Sequence, residues 1–147
     1  MPAAAVDSQM GVARTIKALK ARVEGWRSAG LTVGLVPTMG ALHEGHLSLI
    51  RRSHGLAERT IASIFVNPAQ FAPTEDFGAY PRQEAVDLEM LQKAGCHLAF
   101  LPSAEEMYPE GFQTSVAVGA VAQGLCGASR PHFFGGVATV VAKLLNQ

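Results

Sequence analysis

The chain has 147 residues, 48% of them hydrophobic, and its twelve basic side chains cancel its twelve acidic ones. This length fits one domain with a real core. The charge balance argues against the basic surplus of a nucleic-acid binder and against a charged tail, and no apolar run reaches the roughly 18 residues that a membrane helix needs.

The first ten residues, MPAAAVDSQM, lack the positive charge and apolar stretch of a signal peptide and read as a loose start. Ile16, Leu19, Val23 and Trp26 fall at helical spacing, and Ser28-Ala29-Gly30 stops that helix. Leu31 to Val36 is a short apolar run that predicts a buried strand. His46 to about Glu58 predicts a helix, with Leu47, Leu49 and Ile50 apolar and Arg51 and Arg52 facing water. Thr60 to Val66 is β-branched and aromatic, and Asn67-Pro68 ends it. A turn-rich loop runs to Tyr80. Pro81 is placed to open the next helix, which Val86, Leu88, Leu91 and Ala94 continue to Gly95. His97 to Leu101 is a third strand, closed by Pro102. Ser103 to Glu106 predicts a short capped turn of helix, Phe112 to Val118 an extended segment, Gly127 to Gly136 a loop and Val137 to Leu145 a final helix. Cys96 and Cys126 are far apart, without metal-like spacing, and read as reduced thiols of a cytoplasmic protein.

Strand, helix, strand, helix, strand is the order of an α/β fold: a parallel sheet with helices on both faces. Ligands bind at the carboxyl ends of strands in such sheets. The topology therefore brings the turn after Val36 beside the segment after Val66.

The first of those segments, Gly34 to Ile50, reads GLVPTMGALHEGHLSLI. It places His43-Glu44-Gly45-His46 where a strand–helix turn meets a helix N-terminus, with spare N–H groups and the positive end of the dipole, a place that attracts phosphates. His43 and His46 share a helix face and suit hydrogen bonding to phosphate oxygens as charge builds in attack on phosphorus. Gly45 admits close approach to the backbone. The competing reading is a helix start with two surface histidines. A zinc helix needs H-E-x-x-H, and this motif is one residue short. In the second segment, Asn67 and Gln70 carry amides suited to a small hydroxy acid or carboxylate; the alternative is a plain turn with Gln70 in water. Arg130 lies in a loop of the kind that clamps carboxylates or phosphates, or is solvated. Asp87 and Glu84 are magnesium candidates or a wet helix face. His54 and His97 have no evident partner, and Cys96 has no neighbouring base to make it a nucleophile.

These residues resemble the pantoate–β-alanine ligase family. The resemblance rests on VPTMGALHEGHLSLIRRS at Val36 to Ser53, SIFVNPAQF at Ser63 to Phe71, AYPR at Ala79 to Arg82, MYP at Met107 to Pro109 and GVATVVAKL at Gly136 to Leu144, in that order. It covers nearly the whole chain from about Val12. A lone H-x-G-H would indicate only the wider nucleotidyltransferase superfamily.

The resemblance implies a Rossmann-like domain of the HxGH nucleotidyltransferase type and a two-step reaction. Pantoate carboxylate attacks the α-phosphate of ATP to give pantoyl adenylate and pyrophosphate. The amine of β-alanine then displaces AMP, with Mg2+ offsetting the triphosphate charge. By motif, Pro37, Thr38, Met39, Gly40, Ala41, Leu42, His43, Glu44, Gly45 and His46 would line the ATP site. His46 would be the proton donor, with His43 joining it in stabilising the phosphates. Gln70 would contact pantoate and β-alanine, with Asn67 nearby and Arg130 a further candidate. A homodimer is implied.

Two departures qualify the resemblance. The family is close to twice this length, so residues 11–147 are expected to form a partial nucleotide-binding domain without the C-terminal domain or its phosphate-binding segments. The isolated chain is then expected to be weak or inactive, which leaves open a non-catalytic nucleotide-binding fragment or another nucleotidyltransferase of the same superfamily. Where the family reads Arg-Pro-x-His-Phe-x-Gly-Val, an ungapped alignment puts Phe133 at the histidine position, with His132 one residue earlier.

Overall fold

The computed structural model describes residues 9–72, 74, 75, 78 and 82–147. Four parallel strands form one sheet in the order β1-β4-β3-β2: β1 (Gly11–Ala13), β2 (Val33–Thr38), β3 (Arg59–Ile64) and β4 (Leu98–Phe100). The registers pair Val12 with Ala99, Ala62 with Ala99 and Leu35 with Ile61. Three of these strands are anticipated by the sequence. The fourth, β1, is a strand of only three residues directly before a helix, too short to show a period of its own. Its Gly11 N–H reaches the His97 carbonyl at 3.0 Å.

Strand alternation sorts the core into two layers. Ile61, Leu98 and Phe100 point to one side and pack with Leu19 and Val23 of α1 (Ile16–Ser28), Met107 of α4 (Ala104–Met107), and Val140 and Leu144 of α6 (Phe133–Leu145). Ala62, Ala99 and Leu101 point to the other, where Ile50 of α2 (Glu44–His54) and Leu91 of α3 (Glu84–Lys93) cover them. Leu98, Ala99 and Phe100 are at most 1% exposed, as expected of a strand covered on both faces.

Capping sets several helix limits. Thr15 accepts from the Ala18 N–H at 3.1 Å to start α1, and Gly30, at φ +79°, lets the chain leave it. Ser103 accepts from the Glu106 N–H at 3.1 Å and starts the expected α4. The second helix stops at His54, short of Glu58, with Gly55 as its C-cap, and the Glu58 carboxylate is engaged by the Thr32 N–H and hydroxyl at 2.8 and 3.0 Å. Pro81, expected to open α3, lies outside the described residues, as do residues 1–8.

One expectation for the last third is corrected. Phe112 to Val118, expected to be extended, joins no strand of the sheet, and its Val116 N–H is held by the Thr139 hydroxyl at 2.9 Å. The loop expected over Gly127 to Gly136 contains α5 (Cys126–Ser129) and the start of α6. Gly136, placed in that expected loop, sits within α6, and the helix lies directly on the segment after β3. A Cβ at position 136 would overlap the Ala69 carbonyl and come within 2.8 Å of the Gln70 nitrogen.

Gly136→Ala should therefore lower stability by about 1–3 kcal/mol through overpacking against backbone. Chemical denaturation reads this directly, and an unchanged midpoint would show that the contact can relax.

Candidate functional site

The carboxyl ends of β2 and β3 face a cavity of about 310 Å³ lined by Pro37, Thr38, Met39, His46, Phe65, Gln70 and the α6 residues Val137, Val140, Val141 and Leu144. The structure thus brings His46 and Gln70 to one cavity, as the topology required.

The turn that delivers the histidines is tightly held. Thr38 is buried; its hydroxyl donates to the Ser63 carbonyl at 2.8 Å and accepts from the Gly40 N–H at 3.2 Å. Gly40 and Ala41 follow at φ +81° and +50°. Gly40 has little alternative, since a Cβ there would meet Asp87 Oδ2 at 3.0 Å and Ile64 at 3.1 Å in a backbone conformation that already disfavours a side chain. Asp87, from the first turns of α3, accepts from the Ala41 and Leu42 N–H groups at 2.9 and 2.8 Å, one carboxylate oxygen each. It is 1% exposed, so it does not lie on a wet helix face. Glu84 pairs instead with Arg14 on the surface.

The two histidines cap α2 reciprocally. The Gly45 N–H donates to His43 Nδ1 at 3.1 Å, and the His43 N–H donates to His46 Nδ1 at 3.2 Å. Each Nδ1 is therefore an acceptor, which places the proton of each neutral ring on Nε2. The rings lie 4.1 Å apart between centroids. Burial and the neighbouring His43 lower the pKa of His46, partly opposed by the charge of Asp87. Gly45 serves this cap as well: a Cβ there would lie 2.8 Å from His43 Cε1.

Asn67 is 1% exposed, and its bonding is complete. Its Oδ1 accepts from the Ala69 N–H at 3.3 Å and the Tyr108 hydroxyl at 2.6 Å. Its Nδ2 donates to the Gly136 carbonyl and to Gln70 Oε1, both at 3.0 Å. A backbone donor on one side and a backbone carbonyl on the other fix which end of the amide is which. Gln70, which lines the cavity, must then accept through Oε1, and its Nε2 remains as its side-chain donor. Gln70 is 8% exposed, so it is not the solvated residue of the alternative reading. Asn67 acts as the support of Gln70.

Arg130 is likewise not simply solvated. It pairs with Glu75 at 2.6 Å, reaches the Gln70 carbonyl at 3.4 Å and stacks on Phe133 with its guanidinium carbon 4.3 Å from the ring centre. His132 is exposed at the start of α6 and makes no capping bond. His54 and His97 belong to the opposite end of the sheet, where His97 Nδ1 accepts from the Thr60 N–H at 3.0 Å and His54 approaches the Ala94 carbonyl at 3.2 Å. Cys96 is buried, its thiol pKa raised by that burial, and it is suited to packing rather than attack. Among the described residues no three His, Cys, Asp or Glu side chains cluster to hold a metal. With both Asp87 oxygens bonded to backbone, this residue does not fit a magnesium site.

Sequence reading missed Tyr108 and the apolar wall from α6. Val137, Val140, Val141 and Leu144 do carry a signal, being spaced three, four and seven from the first. Nothing in the sequence marked Tyr108 as the partner of Asn67.

The family model described as Pantoate-beta-alanine ligase matches residues 11–147. Relatives named pantothenate synthetase include one from Paramagnetospirillum magneticum, 61% identical over 97% of this chain and 50% of its own length. Another, from Caulobacter vibrioides, is 59% identical over 92% and 48%. The fold is similar to the crystal structure of pantothenate synthetase from Thermus thermophilus, with a TM-score of 0.84 and 47% identity over 93% of this chain and 48% of that one. It is also similar to pantoate-beta-alanine ligase from Francisella tularensis, described as complexed with beta-gamma ATP and beta-alanine, with a TM-score of 0.85 and 38% identity over 94% and 53%. The chain spans about half the length of the relatives it matches.

The reciprocal cap makes the fold prefer neutral His46. Its folded pKa lies below the ordinary 6.5, so its contribution to stability is complete above that value and is lost as pH falls through the folded pKa. Nitrogen-15 spectra at pH 7 should show the Nε2–H form for both rings, with His46 titrating below 6.5. A midpoint for His46 at or above 6.5 would exclude the cap as drawn.

Proposed function

The chain belongs to the pantoate–β-alanine ligase family, and on that premise we propose that it forms the nucleotide-handling part of an ATP-dependent ligase. The enzyme would join pantoate to β-alanine through a pantoyl adenylate. The observation that carries this reading is the pair of Nε2–H imidazoles at the start of α2, one of which shares a cavity with the amide donor of Gln70.

In the proposed first step a pantoate carboxylate oxygen attacks the α-phosphorus, and the bond to pyrophosphate breaks. Residues 37–46 would border the ATP. His43 and His46 would donate through Nε2 to phosphate oxygens as charge accumulates, and His46, once protonated to imidazolium, would supply the proton that leaves with pyrophosphate. Gln70 Nε2 would bind an oxygen of pantoate, whose hydrocarbon would lie against Val137, Val140, Val141 and Leu144. In the second step the amine of β-alanine forms the amide bond, the acyl–phosphate bond breaks, AMP leaves and the amine loses a proton. Magnesium would arrive with the triphosphate, since Asp87 is committed to the turn. Arg130, turned toward Glu75 and the Gln70 backbone, would hold that segment more than the substrate.

The reading extends to a cytoplasmic homodimer; among the described residues Val121 and Leu125 stand 93% and 94% exposed, apolar surface of the kind that a second subunit covers. A second reading, a nucleotide-binding unit without activity of its own, is favoured by the match to half of each relative. It would bind ATP yet show no pantoate-dependent pyrophosphate exchange. We expect the isolated 147-residue chain to behave in this way and the chain joined to the remaining half of a relative to form pantothenate. No product from the joined form would reject the ligase reading.

In the joined form His46→Ala should lower pantoate-dependent exchange by about 10²–10³-fold, as loss of one transition-state donor does. Gln70→Ala should weaken pantoate more than ATP. Wild-type exchange rates in the first variant, or equal losses for both substrates in the second, would count against these roles.

A further inference from the structure

We propose that Asp87 is a positioning residue for adenylate formation: its two carboxylate oxygens hold the Gly40–Leu42 turn in a left-handed course and so fix where α2 begins and where its two imidazoles aim. The proposal rests on the adenylation reading above and assigns to that site a residue that touches no substrate in it.

Four observations converge on Asp87. The carboxylate is buried, and each oxygen serves one N–H of consecutive residues, so Ala41 and Leu42 cannot rotate independently. Ala41 stands at φ +50° without being glycine, a conformation that L residues adopt only when the surroundings enforce it. Gly40 packs so closely on Asp87 Oδ2 that even a methyl group would meet it at 3.0 Å. Leu42, whose N–H Asp87 holds, is 5% exposed in the core, and the next residue is His43, the cap. The carboxylate thus holds the residue directly before the first imidazole. Sequence distance hides this link, since Asp87 follows Leu42 by 45 positions.

The chemistry also explains why an acid is needed. Both turn groups are donors, so the side chain must accept twice. An asparagine offers one acceptor and would direct its NH₂ at a backbone N–H. Loss of one charge-assisted bond in a buried place should release the turn.

The test uses the 147-residue chain as wild type, Asp87→Asn and the double variant Ala41→Gly/Asp87→Asn. Imidazole nitrogen-15 spectra are read first without ligand and then with ATP, with and without magnesium. Asp87→Asn should blur the single Nε2–H form of His43 and His46 and weaken ATP binding by about tenfold, the factor expected for one lost bond to a charged group. Ala41→Gly should restore a good part of both, because glycine takes the left-handed course unaided; a role confined to packing α3 would gain nothing from it. If Asp87→Asn alone fails to fold, the double variant carries the same reading. No gain from Ala41→Gly, in folding or in the histidine spectra, overturns the proposal. So does an effect confined to ATP in the presence of magnesium, which would make Asp87 a cation ligand. Failure of ATP to shift the wild-type Nε2 signals in the chain joined to the remaining half of a relative would count against the adenylation reading instead, while the ligand-free spectra would still decide whether Asp87 sets the imidazoles.

Discussion

The two hydrogen bonds from Ala41 and Leu42 to Asp87 are the constraint from which the rest of this site follows. An isolated carboxylate buried between helix and sheet is unstable by several kcal/mol. Here that cost is offset only because both oxygens meet backbone donors that would otherwise be orphaned in the same place. The arrangement is mutually dependent. Without the turn the acid has no partners, and without the acid two buried N–H groups lose theirs. It also joins α3 to the β2–α2 connection, so the histidine cap is anchored to two elements of the layer that Ile50 and Leu91 pack.

A second buried polar centre plays the same part across the cavity. Asn67 joins the end of β3 to α6 through the Gly136 carbonyl and to α4 through the Tyr108 hydroxyl, leaving Gln70 a single orientation. The closeness of α6 to Ala69 makes this possible, and only glycine at position 136 permits it. The apolar side of the cavity and its polar donor therefore have a common origin in one helix contact. Movement of α6 would disturb Val140 and Gln70 together.

The parts of this arrangement that were legible in the sequence are those with local periodicity or local chemistry. Ile16, Leu19, Val23 and Trp26 marked α1, Ser103 marked α4, and the alternation of strand and helix placed His46 near Gln70. What was not legible depends on contacts between distant residues. Gly135-Gly136 has the composition of a loop, and the close approach of the Ala69 backbone that calls for a glycine at position 136 is a contact across 67 residues. Asp87 has the sequence setting of a wet carboxylate, and only the turn 45 residues earlier makes it core. Likewise β1 is too short to show a pattern and exists because β4 offers it an edge.

The double histidine cap places the site's structural and chemical demands in opposition. Holding α2 requires each Nδ1 to accept a hydrogen bond, so the capped form of each ring has Nε2 as its only donor. A neutral imidazole is a good hydrogen-bond donor but a poor acid, since complete transfer from Nε2 would leave an imidazolate. To act as an acid His46 must first become imidazolium, which puts a proton on Nδ1 and removes the bond from the His43 N–H. Burial and His43 resist that change, while the charge of Asp87 favours it. On the proposed adenylation reading, a triphosphate at the helix start would add negative charge of the same sign as Asp87 and would shift the balance toward imidazolium. On that reading the free protein would keep its helix cap and the nucleotide would supply the field that readies the acid, coupling protonation of His46 to occupancy of the site.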